Sequence, residues 1–149
     1  LGQKYTKAFD VTFASESGEK KFPIMGCYGI GISRTMGVVV ETFHDERGIM
    51  WPESVAPFKV HLVSLAGKNE EVAARANAVY EQLLKAGVEV LYDERGNTGA
   101  GEKLADADLI GIPYRVVVSQ KTGEMVELKK RSETEAKLVS VDALIKLIA

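Results

Sequence analysis

One cysteine, Cys27, and two histidines, His44 and His61, are the only Cys and His side chains in the 149 residues. A single thiol excludes an intramolecular disulfide, and three such side chains far apart in sequence do not make up a tetrahedral zinc set, so no metal site is expected. That usage fits a reducing cytoplasm. Long apolar runs are also missing: none approaches the roughly 20 residues of a membrane-spanning helix. The opening Leu1-Gly2-Gln3-Lys4-Tyr5 has neither an initiator Met nor the pattern of a signal peptide, so the chain reads as a section of a longer protein. Charge of one sign is scarce as well. Nineteen basic against 21 acidic side chains give a net charge of −2, so no global positive field exists to hold nucleic acid by its phosphates, and any such contact must be local. What the chain does have is 46% hydrophobic residues, enough for a core, with no internal repeat or low-complexity tract.

The N-terminal part suggests a β-hairpin followed by a helix. Val11 to Ala14 and Phe22 to Tyr28 read as strands about a polar turn, Ser15-Glu16-Ser17-Gly18-Glu19. The second strand runs into Gly29-Ile30-Gly31, after which Met36, Val39, Val40 and Phe43 recur at helical spacing, with Gly48 as the expected terminator. Two prolines within Trp51-Pro52-Glu53-Ser54-Val55-Ala56-Pro57 oppose both helix and central strand. The expected division is therefore 1–54 and 55–149.

Beyond that point strands and helices alternate. Lys59 to Ser64 reads as a strand. Asn69 caps a helix with Val72, Ala76, Val79, Tyr80, Leu83 and Leu84 on its apolar face, and Gly87 ends it. Val88 to Tyr92 is the next strand, Asp93 to Glu102 a polar loop, and Lys103 to Ile110 a short helix closed by Gly111. Tyr114 to Ser119 is nearly continuous in apolar and β-branched residues, which marks the centre of a sheet covered on both faces. Met125 to Lys129 follows, and Ser140 caps a last helix carrying Val141, Leu144, Ile145 and Ile148. The order βαβαββα predicts an α/β domain with a mixed sheet flanked by helices.

The stretch richest in chemistry is Pro23-Ile-Met-Gly-Cys-Tyr-Gly-Ile-Gly-Ile-Ser-Arg-Thr-Met-Gly37. Gly29 and Gly31 suggest a dinucleotide fingerprint, but Arg34 stands where its third glycine belongs and no second parallel strand follows at the right distance. A Gly-x-Gly turn into a helix with a cation in the first turn remains. Such a turn lets a ligand approach the backbone, and the guanidinium there can stack on a base or fork onto phosphate oxygens.

This stretch resembles motif 3 of the class II aminoacyl-tRNA synthetases, which is glycine-rich and ends in an arginine. Together with Leu1-Gly2-Gln3-Lys4-Tyr5-Thr6, His44-Asp-Glu-Arg-Gly-Ile-Met-Trp-Pro52 and Ala56-Pro-Phe58, it resembles the bacterial-type prolyl-tRNA synthetases specifically, over essentially the whole chain. The resemblance implies that 1–54 are the last piece of a class II catalytic domain and 55–149 its anticodon-binding domain. It gives Arg34 the catalytic task of stacking on the adenine of a bent ATP and reaching its terminal phosphate, a role suited to a planar delocalised cation. Gly29 and Gly31 would let the backbone close on nucleotide and amino acid, and Cys27 with Gly29 would line the proline pocket. The implied reaction forms prolyl-adenylate from proline and ATP with Mg2+, then transfers proline to its tRNA. Motifs 1 and 2 would lie in the rest of a cytoplasmic, homodimeric parent without membrane contact, so the isolated section is expected to be inactive.

Proline anticodons end in two guanines, whose Watson–Crick edges present N–H donors that suit carboxylates, while arginine addresses O6, N7 or phosphate. The loop Asp93-Glu-Arg-Gly-Asn-Thr-Gly-Ala-Gly-Glu-Lys103 offers both kinds of group and resembles the family's anticodon-reading loop, which nominates Glu94, Arg95, Glu102 and Lys103. Many relatives carry a proline where this chain has Asn97-Thr98-Gly99-Ala100-Gly101, so a more flexible loop is expected. Tyr92 and Tyr114 sit in strand patterns and are read as core or half-buried. Two alternatives stay open: a free-standing RNA-binding module without catalysis, which would have no use for Arg34, and a class II synthetase of another amino-acid specificity.

Overall fold

The computed structural model describes residues 1–148, which form two compact units, 1–35 and 36–148. In the first unit a short helix α1 (Lys4–Ala8) precedes a small hairpin of β1 (Phe13–Ala14) and β2 (Lys20–Lys21). Its turn is closed by Ser15 N donating to Glu19 O (2.9 Å) and Gly18 N to Ser15 O (2.8 Å), with Gly18 at φ +79°. A hairpin stands where one was expected, but its second strand is Lys20–Lys21 and not Phe22 to Tyr28.

The strand expected over Phe22 to Tyr28 does not form. Pro23 has no N–H to give, and a strand exists only when a neighbour completes its ladder. Here the segment is tied to the chain start instead. Gln3 Nε2 donates to Phe22 O (2.8 Å), the Thr6 hydroxyl to Pro23 O (2.9 Å) and Met25 N to Gly2 O (2.9 Å). From Ile24 onward the apolar side chains stand in solvent, with Tyr28 98% and Ile30 87% exposed.

Helix α2 (Ile32–Thr42) buries no residue and stops six positions before the expected terminator, Gly48. Asp45 Oδ1 accepts from the backbone N–H of Arg47 (2.8 Å) and Gly48 (3.1 Å), and this Asx-type turn folds β3 (His44–Asp45) onto β4 (Gly48–Ile49). Gly48, at φ +148°, lies against the backbone of Leu109, and Gly111, at φ +76°, against the carbonyl of Ile49. These two glycines let the hairpin lie backbone to backbone on the end of the helix that closes at Gly111.

The rest of the second unit follows the expected order, with one strand added. It runs β5 (Val60–Ser64), α3 (Glu70–Lys85), β6 (Val90–Asp93), α4 (Ala100–Ile110), β7 (Tyr114–Val118), a 3-10 turn (Gln120–Thr122), β8 (Val126–Lys130), β9 (Lys137–Val139) and α5 (Val141–Ile148). The sheet order is β6-β5-β7-β8-β9, with β5 parallel to β6 and β7 and the remaining pairs antiparallel. β7 is central, as its nearly continuous apolar and β-branched run predicts. Asn69 Oδ1 caps α3 by accepting from Glu71 N (3.0 Å) and Val72 N (3.2 Å).

The period of two along each strand separates the faces. Val60, Leu62, Val90, Tyr114, Val116 and Val118 pack with α3 residues Val72, Ala76, Val79 and Leu83 and with α5 residues Leu144 and Ile148. The opposite face holds only a small apolar cluster, Val63 and Val117 with Leu104 and Ala107 of α4. Next to these, in register, lie His61, Arg115 and Lys129. One face is therefore a full core, and the other is polar and half covered. No helix among the described residues is long and apolar enough to cross a membrane.

Candidate nucleic-acid interface and nucleotide turn

In the first unit the backbone at Gly29-Ile30-Gly31 leads straight into α2, whose first turn is fixed by Thr35 N donating to Gly31 O (2.8 Å). Cys27, Gly29, Ile30, Gly31, Ile32, Ser33 and Arg34 line one open depression there. Nothing within 4 Å would meet a Cβ on Gly29, so a ligand can approach the backbone at that point. Arg34 is exposed and has no hydrogen bond or ion pair among the described residues. Cys27 is an exposed free thiol on the same rim. The structure thus brings Cys27, Gly29, Gly31 and Arg34 together on one helix start, where free N–H groups and a cation favour an anion.

The second cluster forms where β5 and β6 end and α4 begins. Arg95 forks onto Asp93, Nε to Oδ1 (2.9 Å) and Nη2 to Oδ2 (2.7 Å), and Nη2 also donates to Asp106 Oδ2 (2.8 Å). The fork, aided by the Arg95 backbone N–H and by Lys103, holds the Asp93 carboxyl down at about 2 against the opposing effect of burial. Both carboxylates in turn raise the Arg95 guanidinium above its ordinary value. Asp93 favours the folded state while ionised. Its contribution is intact above the unfolded carboxylate value and fades as pH falls toward about 2.

Lys103 corrects one expectation. Its side chain is 2% exposed, with Nζ donating to Ser64 O (2.7 Å) and lying 3.4 Å from Asp93 Oδ1. The ammonium is used inside the protein, tying the ends of β5 and β6 to α4, and is not the exposed loop cation that the sequence suggests. The helix also starts at Ala100, three residues earlier than expected, which shortens the polar loop to 94–99. Glu94 and Glu102 are exposed and carry no ion pair among the described residues. Glu94 and Arg95 line one cleft, and Glu102 stands in the first turn of α4.

Three further features were not read from the sequence. His61 is 3% exposed, and its Nδ1 has no hydrogen-bond partner among the described residues, which costs on the order of 1–3 kcal/mol. Burial pushes this imidazole below its ordinary value, with Asp93 pulling the other way, so it is neutral near pH 7. Tyr92 stacks on Tyr80 with centroids 5.0 Å apart, and its hydroxyl donates to Asn77 Oδ1 (2.7 Å). The half-buried position expected of Tyr92 is found, and Tyr114 is buried in the core. Burial, joined by the hydrogen bond to Glu53 (2.8 Å), pushes the Tyr114 phenol up to about 12.

The third feature is an ion network on the far side of α4. Arg131 forks onto Asp45 (2.6 and 2.8 Å) and donates Nε to Asp108 O (2.9 Å), while Arg115 pairs with Asp108 (2.9 Å). The fork holds Asp45 well below the usual carboxylate range. Its partners are 86 residues apart, and no local pattern announces such a pair.

Comparison with known proteins gives consistent matches. Residues 59–149 match the family described as anticodon binding domain. The proline–tRNA ligase of Geobacillus sp. (strain WCH70) is 52% identical over 149 residues, 99% of this chain and 26% of that protein. The Cryptosporidium parvum prolyl-tRNA synthetase complexed with L-proline and AMP aligns with a TM-score of 0.69 at 28% identity, over 99% of this chain and 32% of that one. The same enzyme complexed with halofuginone and AMPPNP gives a TM-score of 0.70 over 99% of this chain and 31% of that one. The chain thus spans about a quarter of the length of the curated relatives it matches. These matches bear out the prolyl-synthetase resemblance and the α/β fold read from the sequence, and the chain belongs to the anticodon binding domain family.

Proposed function

We propose that this chain is the C-terminal section of a proline–tRNA ligase, which activates proline with ATP to prolyl-adenylate and transfers it to tRNA. One observation carries the reading: a single chain holds both an Arg-bearing glycine turn at a helix start and an acidic-basic rim at the C-terminal end of a parallel strand pair. The first suits a nucleotide, and the second an unpaired base. A free-standing RNA adaptor accounts for the rim but leaves Arg34 without a purpose.

In this reading residues 1–54 belong to the catalytic domain and 55–149 to the anticodon-binding domain, and the family match beginning at residue 59 supports that boundary. Arg34 stacks on adenine and neutralises phosphate charge, Gly29 and Gly31 admit the nucleotide, and Cys27 with Gly29 lines the proline pocket. The exposed apolar stretch Gly26 to Ile30 is an edge that other residues of the parent complete. No group of three or more His, Cys, Asp or Glu among the described residues is placed to hold a metal, so magnesium is assigned to none of them. A homodimeric cytoplasmic parent, and inactivity of the section alone, complete the proposal.

On the RNA side, Glu94 and Glu102 accept from guanine N–H groups, and Arg95, preset by Asp93 and Asp106, meets an acceptor edge or a phosphate. Lys103 fixes the loop from beneath. A hydrogen bond to a charged group is worth about 1.5–3 kcal/mol, so Glu94→Gln in the full-length enzyme is expected to raise KM for tRNA in the charging reaction by about tenfold or more. An unchanged KM in both Glu94→Gln and Glu102→Gln contradicts this assignment.

A further inference from the structure

The family match begins at residue 59, whereas the compact unit that contains it begins at residue 36. The stretch 36–54, which on the proposed reading ends the catalytic domain, is therefore built into the same unit as the RNA-binding domain. Polar and backbone contacts fasten it there, since none of its residues belongs to either buried apolar cluster among the described residues. Arg131, whose side chain is 7% exposed, grips both carboxylate oxygens of Asp45 and donates Nε to Asp108 O near the end of α4. Trp51 adds hydrogen bonds to Ile110 O and Gly111 O. At Gly48 and Gly111 the hairpin and the helix end meet through backbone, so no flexible side chain lies between them to absorb a shift. α4 itself is lightly rooted. Its one buried apolar side chain is Ala107, and its 11 residues span about 16 Å, with Glu102 in the first turn and the Arg131 contact at the last.

We propose that Asp45 and Arg131 are positioning residues for the transfer of proline to tRNA: their fork clasps the end of the catalytic piece to α4 and so sets how RNA held by the second domain is presented to the adenylate. Neither side chain touches a substrate. A buried guanidinium is costly unless its partner is fixed, and two parallel N–H to oxygen bonds set a direction that a single ion pair does not. Binding and rate then separate. The RNA contacts lie at the start of α4 and survive a loosened clasp, while a misplacement of about 1 Å in presenting a reacting group can slow a reaction on the order of a hundredfold. This inference rests on the ligase function proposed above and adds two residues that no motif or loop nominates.

Asp45→Asn keeps the side-chain oxygen that accepts from Arg47 N and Gly48 N but removes the charged fork, and Arg131→Lys keeps the charge but cannot fork. Both are tested in the full-length enzyme, with rates expressed per adenylate-forming site so that unfolded molecules do not count. Each variant is expected to lower kcat for tRNA charging by about tenfold, with KM for tRNA and proline-dependent ATP–pyrophosphate exchange kept within about twofold. The double variant is expected to be no slower than the slower single one, because both substitutions open the same fork. Unchanged kcat in both single variants, a change confined to KM, exchange that falls in step with charging, losses that multiply in the double variant, or disappearance of adenylate-forming sites in both variants overturns the proposal. An enzyme with Asp45 and Arg131 intact that shows no exchange with proline overturns the ligase reading, whereas full kcat in the variants of an active ligase overturns only the clasp.

Discussion

Cutting Arg34 back to alanine in the full-length enzyme is expected to slow proline-dependent ATP–pyrophosphate exchange by about a hundredfold or more. A preorganised group that stabilises developing charge is worth about 3–4 kcal/mol, and each 1.36 kcal/mol is a factor of ten. Arg34→Lys keeps the charge but loses the plane that stacks on a base and the fork that meets two oxygens, so it is expected to recover only part of the rate. The folded state should not notice either change, because the side chain is exposed and makes no ion pair or hydrogen bond among the described residues. A loss of exchange activity accompanied by a loss of stability would therefore contradict the proposed role.

The largest effect on stability is expected at Gly111. This residue sits at φ +76°, where an L side chain is strained, and a Cβ there would lie 1.8 Å from the Ile49 carbonyl oxygen and 2.3 Å from its carbon. Backbone cannot yield as a flexible side chain can, so the hairpin of β3 and β4 would have to lift from α4. Lifting it disturbs the hydrogen bonds from Trp51 N to Gly111 O (3.1 Å) and from Trp51 Nε1 to Ile110 O (3.0 Å), and strains the Asp45–Arg131 fork. Left-handed strain of about 1 kcal/mol plus two or three weakened hydrogen bonds puts the cost of Gly111→Ala on the order of 3 kcal/mol in chemical denaturation. Gly101→Ala is the control. It lies inside α4 with open space around it, and is expected to leave stability unchanged or raise it by about 0.5 kcal/mol.

The parts of the fold legible in the sequence are those whose cause is local. The Asn69 cap, the apolar stripe of α3, the central β7 and the closure of α4 by Gly111 each follow from a short pattern, and each lies where that pattern places it. The parts that were not legible depend on something outside their own segment. Phe22 to Tyr28 has the composition of a strand but no neighbour to pair with, and β9 is three residues that become a strand only because β8 lies beside them.

The tetrapeptide Asp-Glu-Arg-Gly makes the same point within one chain. It occurs at 45–48 and at 93–96, and both copies form an Asx turn in which the aspartate accepts from the backbone two residues on, at 2.8 Å and 3.2 Å. The local turn repeats, but the tertiary partners differ. Asp93 is forked by the arginine of its own turn, whereas Asp45 is forked by Arg131 and Arg47 reaches toward Asp108 (3.8 Å). The same limit explains the candidate site. Glu94, Arg95 and Glu102 were nominated because one polar loop was expected to carry all three, whereas Glu102 stands in the first turn of α4. The burial of Lys103 and the unpartnered nitrogen of His61 come from the way β5, β6 and α4 meet, which no single segment encodes.

The most direct test of the proposed identity is the amino-acid dependence of ATP–pyrophosphate exchange by the complete parent protein. Proline, threonine, glycine and histidine should be supplied in turn at equal concentration. Exchange with proline and background rates with the other three is the predicted outcome. Exchange supported equally or better by any of the other three, or by none of the four, would contradict it.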